Sequence, residues 1–408
     1  MHFFNPAPLM KLVEVVPGPD TDGDVVELVE NVAERLGRTP VRARDYVGFI
    51  ANRVHRPFTL EALKIVGESQ SEPPTVDRIC RLGAGFKMGP FELMDLIGID
   101  VSLEVSESFY EQSFHEPRWR PHPIQSRYVS SGRLGRKSGR GFYHYDDDGA
   151  YRDPDPDPPD RGGGEGVVVV EGSGPIASEL RDLASDAGYE IRSTERLGNT
   201  RPEMLIDAAR VEPRSDISEG GLAHTQPTMQ ASASAINAMP RAVSVLLTDS
   251  DLAGADAGRL ATGFYVLPPL SDNRLVEVAR APLTTPDAAE RSERFFRTLG
   301  FDVEWVADAP GLVLGRIVCM IVNEACFALT AGVAGVEAVD TAMQNGLNYP
   351  DGPLHWADRI GIDHILGVLD ALHAHFREER YRASPVLRQM VAQGRLGCET
   401  GQGFYGYT

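Results

Sequence analysis

The chain repeats itself. Leu-Val-Glu-Val occupies residues 12–15 and recurs at 275–278, an offset of 263 (277 − 14). The offset holds without a gap from Gly48-Phe-Ile-Ala-Asn-Arg53 to Gly311-Leu-Val-Leu-Gly-Arg316. It holds again from Gly89-Pro-Phe-Glu-Leu-Met-Asp-Leu-Ile-Gly-Ile-Asp100 to Gly352-Pro-Leu-His-Trp-Ala-Asp-Arg-Ile-Gly-Ile-Asp363. Gly132-Arg-Leu-Gly135 and Gly141-Phe-Tyr143 return at Gly394–Gly397 and Gly403–Tyr405, now offset by 262. A period this long means a duplicated module, and any fold must satisfy both copies. Residues 166–264 precede the second copy and would map to −97 to 1, so the first copy reads as beginning in mid-module. Met1 then stands where an internal Met can be taken for a start.

At 408 residues the chain has room for two or three domains with buried cores. Its net charge of −19 sets it against nucleic-acid backbones and anionic membranes as partners. Cys80, Cys319, Cys326 and Cys398 show neither metal-ligand spacing nor a secreted disulfide pattern, which fits reduced thiols in a cytoplasm and no metal site. The N-terminus has no signal-peptide pattern. The most apolar stretch, 311–336, carries Arg316, Asn323 and Glu324, which makes it a buried helix rather than a membrane span.

Leu12–Val16 is β-branched, bounded by Asn5–Pro8 and Pro17-Gly18, and reads as a short strand. Residues 19–37 have helical spacing, with Val25, Val26, Leu28, Val29, Val32 and Leu36 as an apolar face. Thr39–Ala43 is a further strand. Residues 1–44 are thus the tail of an α/β domain, and 45–145 is helical, with Pro90 opening one helix. Residues 146–165, acidic and rich in Pro and Gly, read as a disordered linker. Residues 166–307 form an α/β unit with candidate strands at 204–208 and 242–248, and 308–408 repeats the helical domain. Val167–Glu171 runs into Gly172-Ser-Gly174-Pro-Ile-Ala177 and a helix, the strand–turn–helix setting of a dinucleotide fingerprint. Glu171 would repel phosphate, Pro175 lacks an N–H, and the second strand ends in Ser193-Thr194, with Glu195 the one substitute for the expected acid. The expectation is a relic that has lost its ligand.

Three polar residues of the first copy can do chemistry. A His held by a carboxylate is a general base, because the carboxylate fixes its tautomer and stabilises the imidazolium; His2 and Glu14 are that pair. Asn52 can offer an amide to a substrate oxygen. Ordinary alternatives exist for each: a solvated terminal His, a Glu on the wet face of a strand, a helix-capping Asn. The second copy keeps Glu277 but has Tyr265 for His2 and Gly315 for Asn52, a framework without its polar residues.

The motifs at His2–Val16, Gly48–Arg53 and Gly89–Asp100 resemble the L-3-hydroxyacyl-CoA dehydrogenase family, in particular its tandem-module bacterial members, over nearly the whole chain apart from the linker. The resemblance implies a multidomain α/β plus all-α fold. It would hold one complete but degenerate Rossmann-like domain, the C-terminal remnant of another, and two helical domains. It implies an acyl-CoA substrate, NAD as cofactor, a role in fatty-acid or aromatic-acid breakdown, and His2, Glu14 and Asn52 as base, partner and substrate contact. The family's helical domains dimerise, so the two copies are expected to pair within the chain, with a homo-oligomer also open. The NAD-binding unit that the family places before His2 is expected to be missing, leaving the chain weakly active or inactive alone. Two other readings compete: a non-catalytic scaffold for acyl-CoA enzymes, and a 166–307 unit that lends NAD to His2.

Overall fold

A computed structural model describes residues 1–208, 243–247 and 261–407, with only the backbone described in 243–247. Strand β1 (His2–Phe3) pairs antiparallel with β2 (Leu12–Val15), and β2 pairs in parallel with β3 (Thr39–Arg42). Helix α1 (Gly23–Arg35) covers one face of this small sheet, where Val13 and Val15 meet Val26 and Ala33. The broad apolar face expected on α1 is only partly used: Val25, Leu28, Val32 and Leu36 stay exposed. Three strands are too narrow to cover a full helical stripe.

The helical region that follows contains α2 (Ala51–Gly67), α3 (Pro73–Ala84), α4 (Pro90–Ile97), α5 (Ile99–Gln112) and α6 (Pro123–Ser130). The second unit is a seven-stranded sheet. Its strands are β4 (Val167–Glu171), β5 (Glu190–Ile191), β6 (Met204–Asp207), β7 (Val243–Leu247), β8 (Ala261–Tyr265), β9 (Leu275–Arg280) and β10 (Asp302–Val306). They lie in the order β10-β9-β8-β7-β6-β4-β5, parallel except where β8 meets β9. The strand expected over 204–208 is β6, and β7 lies within the one expected over 242–248; residues 209–242 and 248–260 are outside the described residues. Strands β8, β9 and β10 repeat β1, β2 and β3 in direction and register, Tyr265 facing Glu277 as His2 faces Glu14.

Past helix α7 (Pro175–Asp186) and α8 (Pro286–Thr298), the helical domain returns with α9 (Leu314–Thr330) and α10 (Val336–Leu347). The contacts between the copies come in reciprocal pairs. Arg53 Nε lies 2.8 Å from Glu324 Oε1, and Arg316 Nε lies 2.9 Å from Glu61 Oε2. Arg118 adds a second cation to Glu324 at 2.8 Å, and Arg380 adds one to Glu61 at 2.7 Å. Gly346 of α10 makes room for Leu12 of β2, and its counterpart Gly83 of α3 lies against Leu314 of α9 and Leu275 of β9. Residue i meeting j while j's counterpart meets i's is the mark of a two-fold arrangement.

The repeated glycines have a local cause. Asp95 accepts hydrogen bonds from the Phe142 and Tyr143 amides and the Tyr145 hydroxyl, and Asp358 does the same for Phe404, Tyr405 and Tyr407. A Cβ at Gly141 or Gly403 would occupy the space of that carboxylate. The segment 146–165, expected as a disordered linker, is instead tied down. Tyr151 packs on Tyr143 and Tyr145, Arg152 reaches Glu92 at 2.8 Å, and Asp155 pairs with Arg81 at 3.1 Å. Its acidic residues are in part counter-ions, a use that composition does not distinguish from solvation.

Candidate functional site

Glu14 is fully buried in β2, which excludes the wet-face alternative. Its Oε1 accepts the Ile50 and Ala51 amides at 3.0 and 2.9 Å, at the start of α2. A carboxylate there satisfies two otherwise free N–H groups and sits favourably at the positive end of the helix. Its Oε2 lies 2.7 Å from His2 Nδ1, directly across the β1–β2 pair. With the proton held at Nδ1, Nε2 keeps its lone pair. Nε2 has no partner among the described residues, and the ring stays about a third exposed between Phe4 and Phe49. Asn52 follows in the first turn of α2, half-buried. One carboxylate therefore fixes both the imidazole and the end of the helix that carries Asn52.

The second copy keeps the joint without the His and the Asn. Glu277 accepts the Val313 and Leu314 amides, both at 2.8 Å, and burial pushes its carboxyl up to about 8. Tyr265 replaces the His and is fully buried, its hydroxyl bonded to His364 Nε2 at 2.8 Å. The ring lies where a Cβ on residue 315 would be, so Gly315 makes room for it. The Cys319 thiol also reaches the Tyr265 hydroxyl. Where the first copy has an open imidazole, this one has a packed phenol.

At the Gly172–Ala177 turn, the backbone fits a pyrophosphate better than the side chains do. Gly172 has a φ of 108°, which glycine permits, and α7 starts just after Gly174, over the buried Ala177. Glu171, beside the first glycine, is engaged by the Thr194 hydroxyl, and Pro175 offers no N–H. The Arg181 guanidinium is held by the Val170 and Gly172 carbonyls. Beside His2, the described residues supply three strands and one helix but no Gly-rich strand–turn–helix.

The family model for the 3-hydroxyacyl-CoA dehydrogenase C-terminal domain matches residues 48–145 and again 311–407; that for the family's NAD-binding domain matches 1–46. A 3-hydroxyadipyl-CoA dehydrogenase of Escherichia coli is 35% identical over 389 residues, covering 95% of this chain and 68% of the relative. The chain belongs to the 3-hydroxyacyl-CoA dehydrogenase family. A crystal structure of a 3-hydroxybutyryl-CoA dehydrogenase from Escherichia coli aligns with 96% of the chain and 70% of its own, at 33% identity and a TM-score of 0.69. A probable 3-hydroxybutyryl-CoA dehydrogenase of Deinococcus radiodurans is 43% identical over 145 residues, which are 36% of this chain and 52% of that protein. The chain spans about two thirds of the first relative and about half of the second.

Within this dehydrogenase framework the structure brings His2, Glu14 and Asn52 to one strand–helix junction and keeps Gly172, Gly174 and Ala177 in the other sheet. Sequence reading missed two things. The reciprocal Arg–Glu pairs were signalled by charges repeating at offset 263 on apolar helices (53 and 316, 61 and 324). Arg56 was signalled only by a departure, since its counterpart is Cys319.

Proposed function

We propose that the chain serves NAD-dependent oxidation of (S)-3-hydroxyacyl-CoA thioesters to 3-oxoacyl-CoA, with its one working site in the first copy. The observation that carries this is the His2–Glu14–Ile50/Ala51 junction: a base with a fixed tautomer and a free Nε2, on a support of buried hydrogen bonds. His2 Nε2 takes the proton of the 3-hydroxyl, and Glu14 stabilises the imidazolium that forms. Asn52 orients the substrate oxygen. NAD, the cofactor of the matched domain, supplies the hydride acceptor when bound. The Gly172–Ala177 turn is a relic of such a binding unit, and the second copy serves structure. The reciprocal helix contacts stand in for a family dimer within one chain, and the free cysteines suit a reducing cytoplasm. The relatives' names leave two acyl classes open, a butyryl-like chain and a six-carbon diacid.

The test is NADH oxidation with acetoacetyl-CoA by the 408-residue chain, followed down to slow rates, beside His2→Ala. Activity that the substitution lowers by about 10²–10⁴-fold supports the reading. Activity indifferent to His2 sinks it.

A further inference from the structure

One buried charge has no part in the oxidation proposed. Arg56 is 7% exposed, on the face of α2 one turn beyond Asn52. Its Nε donates to the Asn52 carbonyl at 3.1 Å, so the side chain leans back toward the start of the helix. Its guanidinium lies 5.1 Å from the centre of the Phe109 ring. Nη1 is buried with no hydrogen-bond partner, and no Asp or Glu among the described residues pairs with Arg56. Every other guanidinium of comparable burial named above, on Arg53, Arg118, Arg316 and Arg380, has its carboxylate. Taking a cation out of water without a counter-ion is costly, so an unpaired one points to an anion that arrives from outside.

The duplication tells which way position 56 faces. Its counterpart is Cys319, whose thiol touches the Tyr265 hydroxyl, and Tyr265 occupies the place of His2. The side chain at this position therefore looks toward the base. In the copy whose site is filled by a phenol the arginine is gone, together with the His and the Asn.

We infer that Arg56 is a specificity-determining residue whose guanidinium receives a carboxylate at the far end of the acyl chain. The preferred substrates are then short dicarboxylic acyl-CoA thioesters. This rests on the acyl-CoA reading above and narrows its substrate. The backbone rises about 6 Å from Asn52 to Arg56, and the Arg56 side chain leans back over that turn, so its guanidinium is within reach of a short tail of about three carbons beyond C3. That length suits a six-carbon diacid. A guanidinium can take both carboxylate oxygens in two parallel hydrogen bonds, which a methyl-ended chain cannot offer. The Phe109 ring beside it supplies an apolar wall for the methylenes.

Equilibrium titration of the 408-residue chain with adipyl-CoA and hexanoyl-CoA tests this without turnover. The two ligands share the whole CoA, so their affinity ratio isolates the tail. Wild type is expected to bind adipyl-CoA about 10–100-fold more tightly than hexanoyl-CoA, the size of a desolvated charged hydrogen bond. Arg56→Met should bring that ratio close to one, and Arg56→Lys should keep part of it. Melting separates a structural role: Arg56→Met should melt no lower than wild type, because it removes an unpaired buried cation. A ratio near one in wild type, a ratio that survives Arg56→Met, or no binding of adipyl-CoA overturns the inference. If the ratio stands but no 3-hydroxyacyl-CoA is oxidised at His2, the dehydrogenase reading fails and recognition of the tail remains.

Discussion

The two copies answer one framework in opposite ways. In the first, β1–β2 and α2 meet at Glu14 with His2 and Asn52 at an open edge, and Arg56 lies buried one turn further along α2. In the second, the same junction at Glu277 is closed by Tyr265, Gly315 and Cys319. What both retain is the carboxylate capping the helix, so that bond belongs to the fold. What only one retains is the polar set, which does the chemistry on the function proposed. The copies differ on the outer side of their sheets too. Val25, Val32 and Leu36 of the first are exposed, whereas their counterparts Ala288, Phe295 and Leu299 are buried, Phe295 against Tyr189.

The largest expected effect breaks the comparison at the base. His2→Ala should lower kcat/KM with acetoacetyl-CoA by about 10²–10⁴-fold, whereas Tyr265→Phe should leave it unchanged. An equal loss in both would mean that the second copy also works.

The reciprocal charges come next. Arg316→Leu leaves Glu61 and Glu68 short of a cation in the interface between the copies, and urea denaturation should show a loss of about 3–5 kcal/mol. Arg53→Leu should cost somewhat less: a second arginine remains on each carboxylate, Arg118 on Glu324 and Arg380 on Glu61, but Arg316 also serves Glu68. A loss in one and none in the other would contradict the two-fold arrangement.

A smaller effect tests the plug. Gly315→Asn forces a side chain into the Tyr265 ring and should cost about 1–3 kcal/mol; adding Tyr265→His should restore most of it. Additive losses would mean that the two positions changed independently.

A last test is a pH dependence. Burial raises Glu277 from its ordinary 4.5 to about 8, so between those values the folded chain holds a proton that the unfolded chain releases. Its contribution is fully present below pH 4.5, falls as pH rises through this window, and is gone above about 8. Glu277→Gln should flatten that part of the stability profile, measured as the urea midpoint at stepped pH. An unaltered slope would show that the two amide donors hold Glu277 ionised.

The repeat, the strand–helix succession and the three polar residues of the first copy as candidates were legible in the sequence by itself, because these are local patterns read at a fixed offset. Glu14 and Glu277 could be aligned, but not seen to cap a helix start 36 residues away. The stretch 146–165 looked solvated because composition counts charges without seeing Arg81 and Glu92 waiting for Asp155 and Arg152. Only the tertiary structure decided which buried charges have partners. Burial and pairing depend on what the chain brings together across hundreds of residues, and a guanidinium left alone, as at Arg56, is recognised only when every neighbour has been placed.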